Sequence, residues 1–157
     1  MNQVRVDIYT DGGCAGNPGI GGWGVYIVNR NETMNGGELH TTNNRMELTA
    51  VIEALKHTVN DSHVVIHTDS QYVKNGATAW IHNWVRNGWI GAGGAGIKNV
   101  DLWKTLYALI NASNRTISFK WVRGHDGDHG NEMADRLATE AIGIVTATGK
   151  AFKKYNF

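Results

Sequence analysis

Two short apolar runs, each ending in an aspartate, constrain the fold of this chain more than any other feature. Val64-Val65-Ile66-His67-Thr68 runs into Asp69-Ser70, and Val4-Arg5-Val6-Asp7-Ile8-Tyr9-Thr10 runs into Asp11-Gly12. The first reads as a buried strand, and the alternation of Val4, Val6 and Ile8 with Arg5, Asp7 and Tyr9 reads as a second. If the two are parallel neighbours, Asp11 and Asp69 meet at the carboxyl ends of the strands, where open α/β sheets build their sites. Glu47 and Asp135, on predicted helices, are the acids able to join them.

The rest of the chain is legible around this pair. Trp23 to Val28 and roughly 33–41 read as two further strands joined by a polar turn. Leu48, Val51, Ile52, Leu55 and Val59 repeat at helical spacing, with Asn44 the expected N-cap. Further helices are expected from about Gln71 to Trp80, with Ser70 or Asp69 as cap, from Asp101 to Ile110 and from Asn131 to Ile142. Ile117, Phe119 and Trp121 alternate as a last strand. The segment from Trp80 to Asn99 contains Gly91-Ala-Gly-Gly-Ala-Gly96 and is expected to be a flexible loop. The order β-β-β-α-β-α-α-β-α predicts an α/β fold: a five-stranded mixed sheet, three strands antiparallel and the others parallel, with helices on both faces. One domain spans 1–142, and 143–157, where periodicity fades, is expected to be a mobile tail.

Composition narrows the class. The 157 residues suit one domain, and 41% apolar content suits a packed core. A net charge of +1 means that any basic binding surface is local. A single cysteine, Cys14, excludes an internal disulfide framework and a cysteine-based zinc site. No apolar run approaches the roughly 20 residues of a membrane span. The first residues lack the apolar core of a signal peptide. The expectation is a soluble, cytoplasmic, monomeric protein with no membrane association and no small-molecule cofactor.

Each of the four acids has an ordinary explanation when taken alone. Asp11 before Gly12 suits an Asx turn, Glu47 lies three residues after Asn44 at the capping-box position, Asp69 suits a helix cap, and Asp135 suits a solvated helix face. Converging in a dry crevice, however, four carboxylates repel one another, and divalent cations relieve that repulsion. An all-oxygen set suits Mg²⁺ or Mn²⁺, and two such ions about 3.5–4 Å apart serve phosphodiester hydrolysis. His125, between Gly124 and Asp126-Gly127, is a candidate proton shuttle. His125 and His129 have zinc-ligand spacing, but glycines at 124, 127 and 130 oppose the helix that spacing requires. Two matches to G-x-G-x-x-G, at Gly19–Gly24 and Gly91–Gly96, lack the strand-then-helix context of a dinucleotide site. Asn17, Thr42, Asn43, Asn44, Arg45 and Gln71 flank the acids and suit contacts to a nucleic-acid backbone, its 2′-hydroxyls and its minor-groove edges.

Several motifs in order resemble bacterial type 1 ribonuclease H: Thr10-Asp-Gly-Gly-Cys-Ala-Gly-Asn-Pro-Gly19, Thr41-Thr-Asn-Asn-Arg-Met-Glu-Leu48, Thr68-Asp-Ser-Gln-Tyr-Val73, Trp80-Ile-His-Asn-Trp84, and Trp121-Val-Arg-Gly-His125 with Asn131-Glu-Met-Ala-Asp135. The resemblance implies the ribonuclease H-like fold and an endonuclease that cuts the RNA strand of RNA–DNA hybrids with two Mg²⁺ ions, leaving 5′-phosphate and 3′-hydroxyl ends. It implies metal-binding roles for Asp11, Glu47, Asp69 and Asp135 and a catalytic role for His125. It implies substrate contacts at Cys14, Asn17, Asn43, Asn44 and Gln71, and at Trp80 and Trp84 in the segment that resembles the family's basic protrusion. Glu132 matches a family position near the metal site. Two features depart from the family pattern: Arg86 and Lys98 are the only basic residues of the protrusion besides His82, and Asp128 adds an acid beside His125. Another metal-dependent nuclease of the same fold would lack the Thr-Asn-Asn-Arg-Met-Glu context. A non-catalytic hybrid-binding module would have no use for four intact acids.

Overall fold

The computed structural model describes residues 4–112, 114–124 and 128–157. Strand β1 (Arg5–Ala15) lies at the middle of a six-stranded sheet. It pairs antiparallel with β2 (Gly19–Ile27), which pairs antiparallel with β3 (Glu32–Thr41). On its other side β1 pairs parallel with β4 (His63–Thr68), and β4 parallel with β5 (Thr116–Trp121). The register of β1 with β4 matches Thr10 to Thr68, so the two following aspartates stand side by side, Asp69 where β4 ends and Asp11 inside β1, which runs on to Ala15 paired with β2.

The five strands expected become six, because Phe152–Asn156 forms β6 on the outer edge of β3. The segment 143–157, expected as a tail, instead continues the last helix and then returns to the sheet. Its anchor is Glu53, which is 5% exposed on helix α1 (Asn43–His57). Lys153 Nζ and the Tyr155 hydroxyl each donate to the Glu53 carboxylate at 3.2 Å, and Phe157 stacks on His57 at 4.0 Å.

Helices cover both faces. Helix α1 crosses one face over β1, burying Leu48, Val51, Ile52 and Leu55. Thr42, rather than Asn44, is its N-cap: Thr42 Oγ1 accepts from the Arg45 N–H at 3.3 Å. At its other end the Arg115 guanidinium donates to the Leu55 carbonyl at 3.0 Å and to the Thr58 carbonyl, satisfying groups that the helix leaves open. Helix α2 (Gln71–Asn75) is capped by Ser70, as expected, and runs through a π-turn at Gly76–Trp80 into α3 (Ile81–Arg86). Helix α4 (Val100–Asn111) packs on α1 and buries Trp103 and Leu106. Helix α5 (His129–Thr148) lies across β1, β2 and β3 on the other face. It comes so close that a Cβ on Gly24 would stand 2.4 Å from the Ala134 carbonyl oxygen. Among the described residues no helix is long and apolar enough to cross a membrane.

Candidate metal centre

The fold brings the acids together from four elements. Asp11 sits in β1 and Asp69 immediately after β4, as the parallel register requires. Glu47 comes from the first turns of α1, and its Oε1 accepts from the Gly12 N–H at 2.8 Å. The residue therefore serves the strand rather than the helix cap, which Thr42 already supplies. Carboxylate oxygens of Asp11, Glu47 and Asp69 all lie within 4.8 Å of one another. Asp135, half-buried on α5, stands close enough for its charge to act on the Asp11 carboxyl.

Burial makes this cluster electrostatically costly without a counter-ion. Asp11 is 6% exposed and Glu47 7% exposed. Burial, then the neighbouring charges of Asp69 and Asp135, pushes the Asp11 carboxyl up to about 7. Burial, with Asp11 and Asp69 beside it, raises Glu47 well above the usual carboxylate range. Carboxylate oxygens of the two lie within 4.8 Å of each other, so the retained proton belongs to the pair. Glu47 Oε2 is buried with no partner among the described residues. An oxygen-only donor set, clustered, with one orphaned oxygen, fits a hard divalent cation.

A stability prediction follows from the direction of these shifts. Between the ordinary value of 3.8 and about 7, folded Asp11 keeps a proton that the unfolded chain releases. The metal-free protein should therefore lose stability as pH rises from about 4 to about 7, and the raised Glu47 carboxyl contributes in the same direction. Thermal melts in EDTA across that range check the sign, and a melting temperature that climbs through it would contradict the shift. Excess Mg²⁺ at pH 8 should restore the lost stability, because it binds the folded state alone.

The other sequence-predicted residues fall into three groups. Asn43, Asn44 and Gln71 are exposed at the starts of α1 and α2. Cys14, Asn17 and Thr42 take part in local bonds. Cys14 Sγ donates to the Thr41 carbonyl at 3.3 Å, Asn17 Oδ1 accepts from the Asn43 N–H at 3.1 Å, and Thr42 caps α1. Burial raises the Cys14 thiol pKa. Arg45 is committed elsewhere: its guanidinium grips Asp101 at 3.0 and 2.8 Å and reaches Asn99 Oδ1 at 3.3 Å. Trp80 is 41% exposed, whereas Trp84 is half-buried against Trp103 at 5.2 Å. Glu132 is exposed in the first turn of α5. Asp128 is the N-cap of α5, accepting from the Asn131 N–H at 3.2 Å. His125 lies outside the described residues.

Sequence reasoning placed Trp121 in the last strand and in a family motif but gave it no contact of its own, yet its indole N–H donates to the Asp69 carbonyl at 3.1 Å. It also missed the Tyr72 hydroxyl, which accepts from Asn99 and Trp103 at 3.0 Å each and ties α2 to α4. A tryptophan closing a strand beside a glycine-rich connection is the one signal that pointed to the former. The latter had none.

Known proteins resemble this chain over most of its length. The RNase H family profile matches residues 3–143. A curated protein from Polaromonas sp. called Ribonuclease H is 51% identical over 150 residues, covering 94% of this chain and 93% of the relative. Among solved structures, LC9-RNase H1, a type 1 RNase H with the type 2 active-site motif, is 35% identical with a TM-score of 0.79, over 98% of this chain and 79% of that one. LC11-RNase H1 in complex with an RNA/DNA hybrid is 23% identical with a TM-score of 0.68, over 90% and 99% of the two chains, a likeness that carries the fold alone.

Proposed function

This chain belongs to the RNase H family, and from that premise we propose that it is an endoribonuclease that hydrolyses the RNA strand of RNA–DNA hybrids at the Asp11–Glu47–Asp69 centre. The observation that carries the reading is the meeting within 4.8 Å of three carboxylates, from β1, from α1 and from just after β4, with a buried Glu47 oxygen left unpartnered among the described residues. Asp11, Glu47 and Asp69, with Asp135 beside them, would hold two Mg²⁺ ions, for which Mn²⁺ substitutes. When bound, such ions supply an activated water and neutralise charge on the scissile phosphate and the leaving oxygen. Cleavage then leaves 5′-phosphate and 3′-hydroxyl ends.

The chain's own residues contribute positioning and charge. Gly12 fixes the Glu47 carboxylate through its N–H, and burial keeps bulk water from screening the cluster. Asn43, Asn44 and Gln71 project amides at two helix starts, where they serve as donors and acceptors toward the hybrid's backbone and minor groove. Asn17 and Thr42 shape that loop, and Cys14 lies against it. Arg45, held by Asp101, aligns α1 with α4 and the protrusion. Trp80 offers an exposed ring for stacking or sugar contact, with Trp84 supporting it from behind. His125 is assigned proton transfer by the family resemblance.

The test offers labelled RNA–DNA hybrid, duplex RNA, duplex DNA and single strands, with Mg²⁺ or with EDTA. Mg²⁺-dependent cutting of the RNA in the hybrid alone is the expected outcome. Cleavage of duplex DNA, or of nothing, overturns the proposal. The protrusion adds a quantitative expectation. Arg86 and Lys98 are its only basic residues besides His82, so few phosphates are neutralised there. Hybrid affinity should fall less steeply with salt than that of a relative with a lysine-rich protrusion, since each phosphate contact adds just under one to the logarithmic slope. Titrations between 50 and 200 mM salt, taken as the range in which such slopes are read, check this. Equal slopes would mean that the protrusion is not where the phosphates are gripped.

A further inference from the structure

The segment leaving β5 braces Asp69 at two points, and neither bracing residue is a candidate ligand. Strand β4 ends at Thr68 and α2 begins at Gln71, so Asp69 stands on a two-residue junction between regular elements. On that junction the Trp121 indole N–H donates to the Asp69 carbonyl at 3.1 Å. The neighbouring Val122 N–H donates to the Thr68 carbonyl at 2.9 Å, extending the grip of β5 past the last paired residue of β4. Trp121 is 38% exposed, so core packing alone does not account for its placement.

Gly124 then passes over the Asp69 side chain. A Cβ at this position would stand 2.9 Å from Asp69 Oδ2 and 3.6 Å from its Cβ and Cγ. Gly124 is not among the positive-φ glycines, so its backbone does not require glycine. What glycine supplies here is room for a carboxylate. The obstructing atom is the far end of a flexible side chain, so an added methyl group would turn the carboxylate aside rather than break the fold. That turn would move one oxygen donor away from Asp11 and Glu47.

We propose that Trp121 and Gly124 are positioning residues for the Asp69 carboxylate: Trp121 pins the backbone from which it projects, and Gly124 leaves the space in which it points at the other two acids. The proposal rests on the reading of this centre as metal-binding. Groups that orient metal ligands are expected to change metal affinity or activity by about 10–100-fold when removed.

The experiment uses the full chain with Gly124→Ala and Trp121→Phe, the latter keeping a ring while removing the donor. Mn²⁺ alone is titrated calorimetrically without substrate, hybrid cleavage is resolved into kcat and KM, and melting is followed in EDTA. The expected result is Mn²⁺ binding weakened about tenfold in each variant, kcat lowered about as much, KM for the hybrid within about twofold of wild type, and Gly124→Ala melting as wild type does. Wild-type Mn²⁺ affinity in both variants overturns the proposal. So does a loss of affinity that only tracks a loss of melting temperature. Should Gly124→Ala fail to fold, the placement of Gly124 is overturned and Trp121→Phe decides its own half. A wild-type chain that binds Mn²⁺ but leaves the hybrid intact sinks the proposed function alone, because the calorimetry still reads the brace.

Discussion

Asp11→Asn will lower hybrid cleavage by about a thousandfold or more while making the metal-free protein more stable. The two effects share one cause. Asp11 is 6% exposed, and burial, with the charges of Asp69 and Asp135 beside it, lifts its carboxyl to about 7. Like charges about 4 Å apart repel by up to about 4 kcal/mol at the effective dielectric of partly buried sites. An amide of the same shape removes that repulsion and the burial of a charge. It also removes the charge that makes the cluster attractive to a divalent cation, and one of three mutually close ligand oxygens. Transition-state stabilisation that depends on the bound ions goes with it, and about 4 kcal/mol of lost stabilisation is a thousandfold in rate. Single-turnover cleavage in Mg²⁺ and thermal melts in EDTA at pH 8 measure the two sides. A variant that is inactive because it is unfolded would melt lower than wild type. A variant that cuts at the wild-type rate would show that the buried carboxylate is not part of the chemistry.

How much of this was readable beforehand depended on whether a signal was local. The alternation in β1, the apolar run of β4 and the helical spacing of α1 are properties of neighbouring residues, and they placed Asp69 and Glu47 correctly relative to their elements; Asp11, expected at a strand end, lies inside β1, because Gly12–Ala15 continue to pair with β2. Caps were harder. Thr41-Thr42-Asn43-Asn44 holds four residues able to cap a helix, and only the backbone decides that Thr42 does so. Strand β6 was hidden because its evidence lies on other elements. Phe152 and Tyr155 do not alternate cleanly with Lys153 and Lys154, and the reason the strand docks is a buried glutamate a hundred residues earlier. The expected loop from Trp80 was half right. Ile81–Arg86 is helical, while Ala92–Gly94 forms only a short 3₁₀ turn with Gly93 at a φ of 68°. The π-turn between α2 and α3 has a tertiary feature at its start: a Cβ on Gly76 would lie 2.1 Å from the Trp103 ring. That contact is invisible in a linear pattern. At the site, residue types that carry charge could be read and residue types that supply room or a single hydrogen bond could not, which is why Gly124 and Trp121, though part of a quoted motif, were given no part in placing Asp69.

Gly12→Ala will damage both the fold and the centre, because at this position strand and helix share one space. A Cβ on Gly12 would stand 2.4 Å from the Glu47 nitrogen and from the Met46 carbonyl carbon, and 2.7 Å from the Met46 oxygen. All three are backbone atoms of α1, so no side chain can swing away and the first turns of the helix must move. Overpacking of this kind costs about 1–3 kcal/mol, and backbone on both sides argues for the upper end. Movement of α1 also carries Glu47 away from the Gly12 N–H that it accepts at 2.8 Å, and from Asp11 and Asp69. A displacement of about 1 Å at a catalytic group can lower activity about a hundredfold. The neighbouring Gly13 gives the control for stability, since nothing lies within 4 Å of a Cβ built there. Chemical denaturation should therefore separate the two alanine variants by about 2 kcal/mol or more, and hybrid cleavage by Gly12→Ala should fall to about one per cent. A Gly12→Ala protein as stable and as active as wild type would mean that α1 does not approach β1 as closely as this, and that Glu47 reaches the acids by another route. The glycine after Asp11 thus decides more than a turn: it sets the distance at which a helix can deliver its carboxylate to a strand.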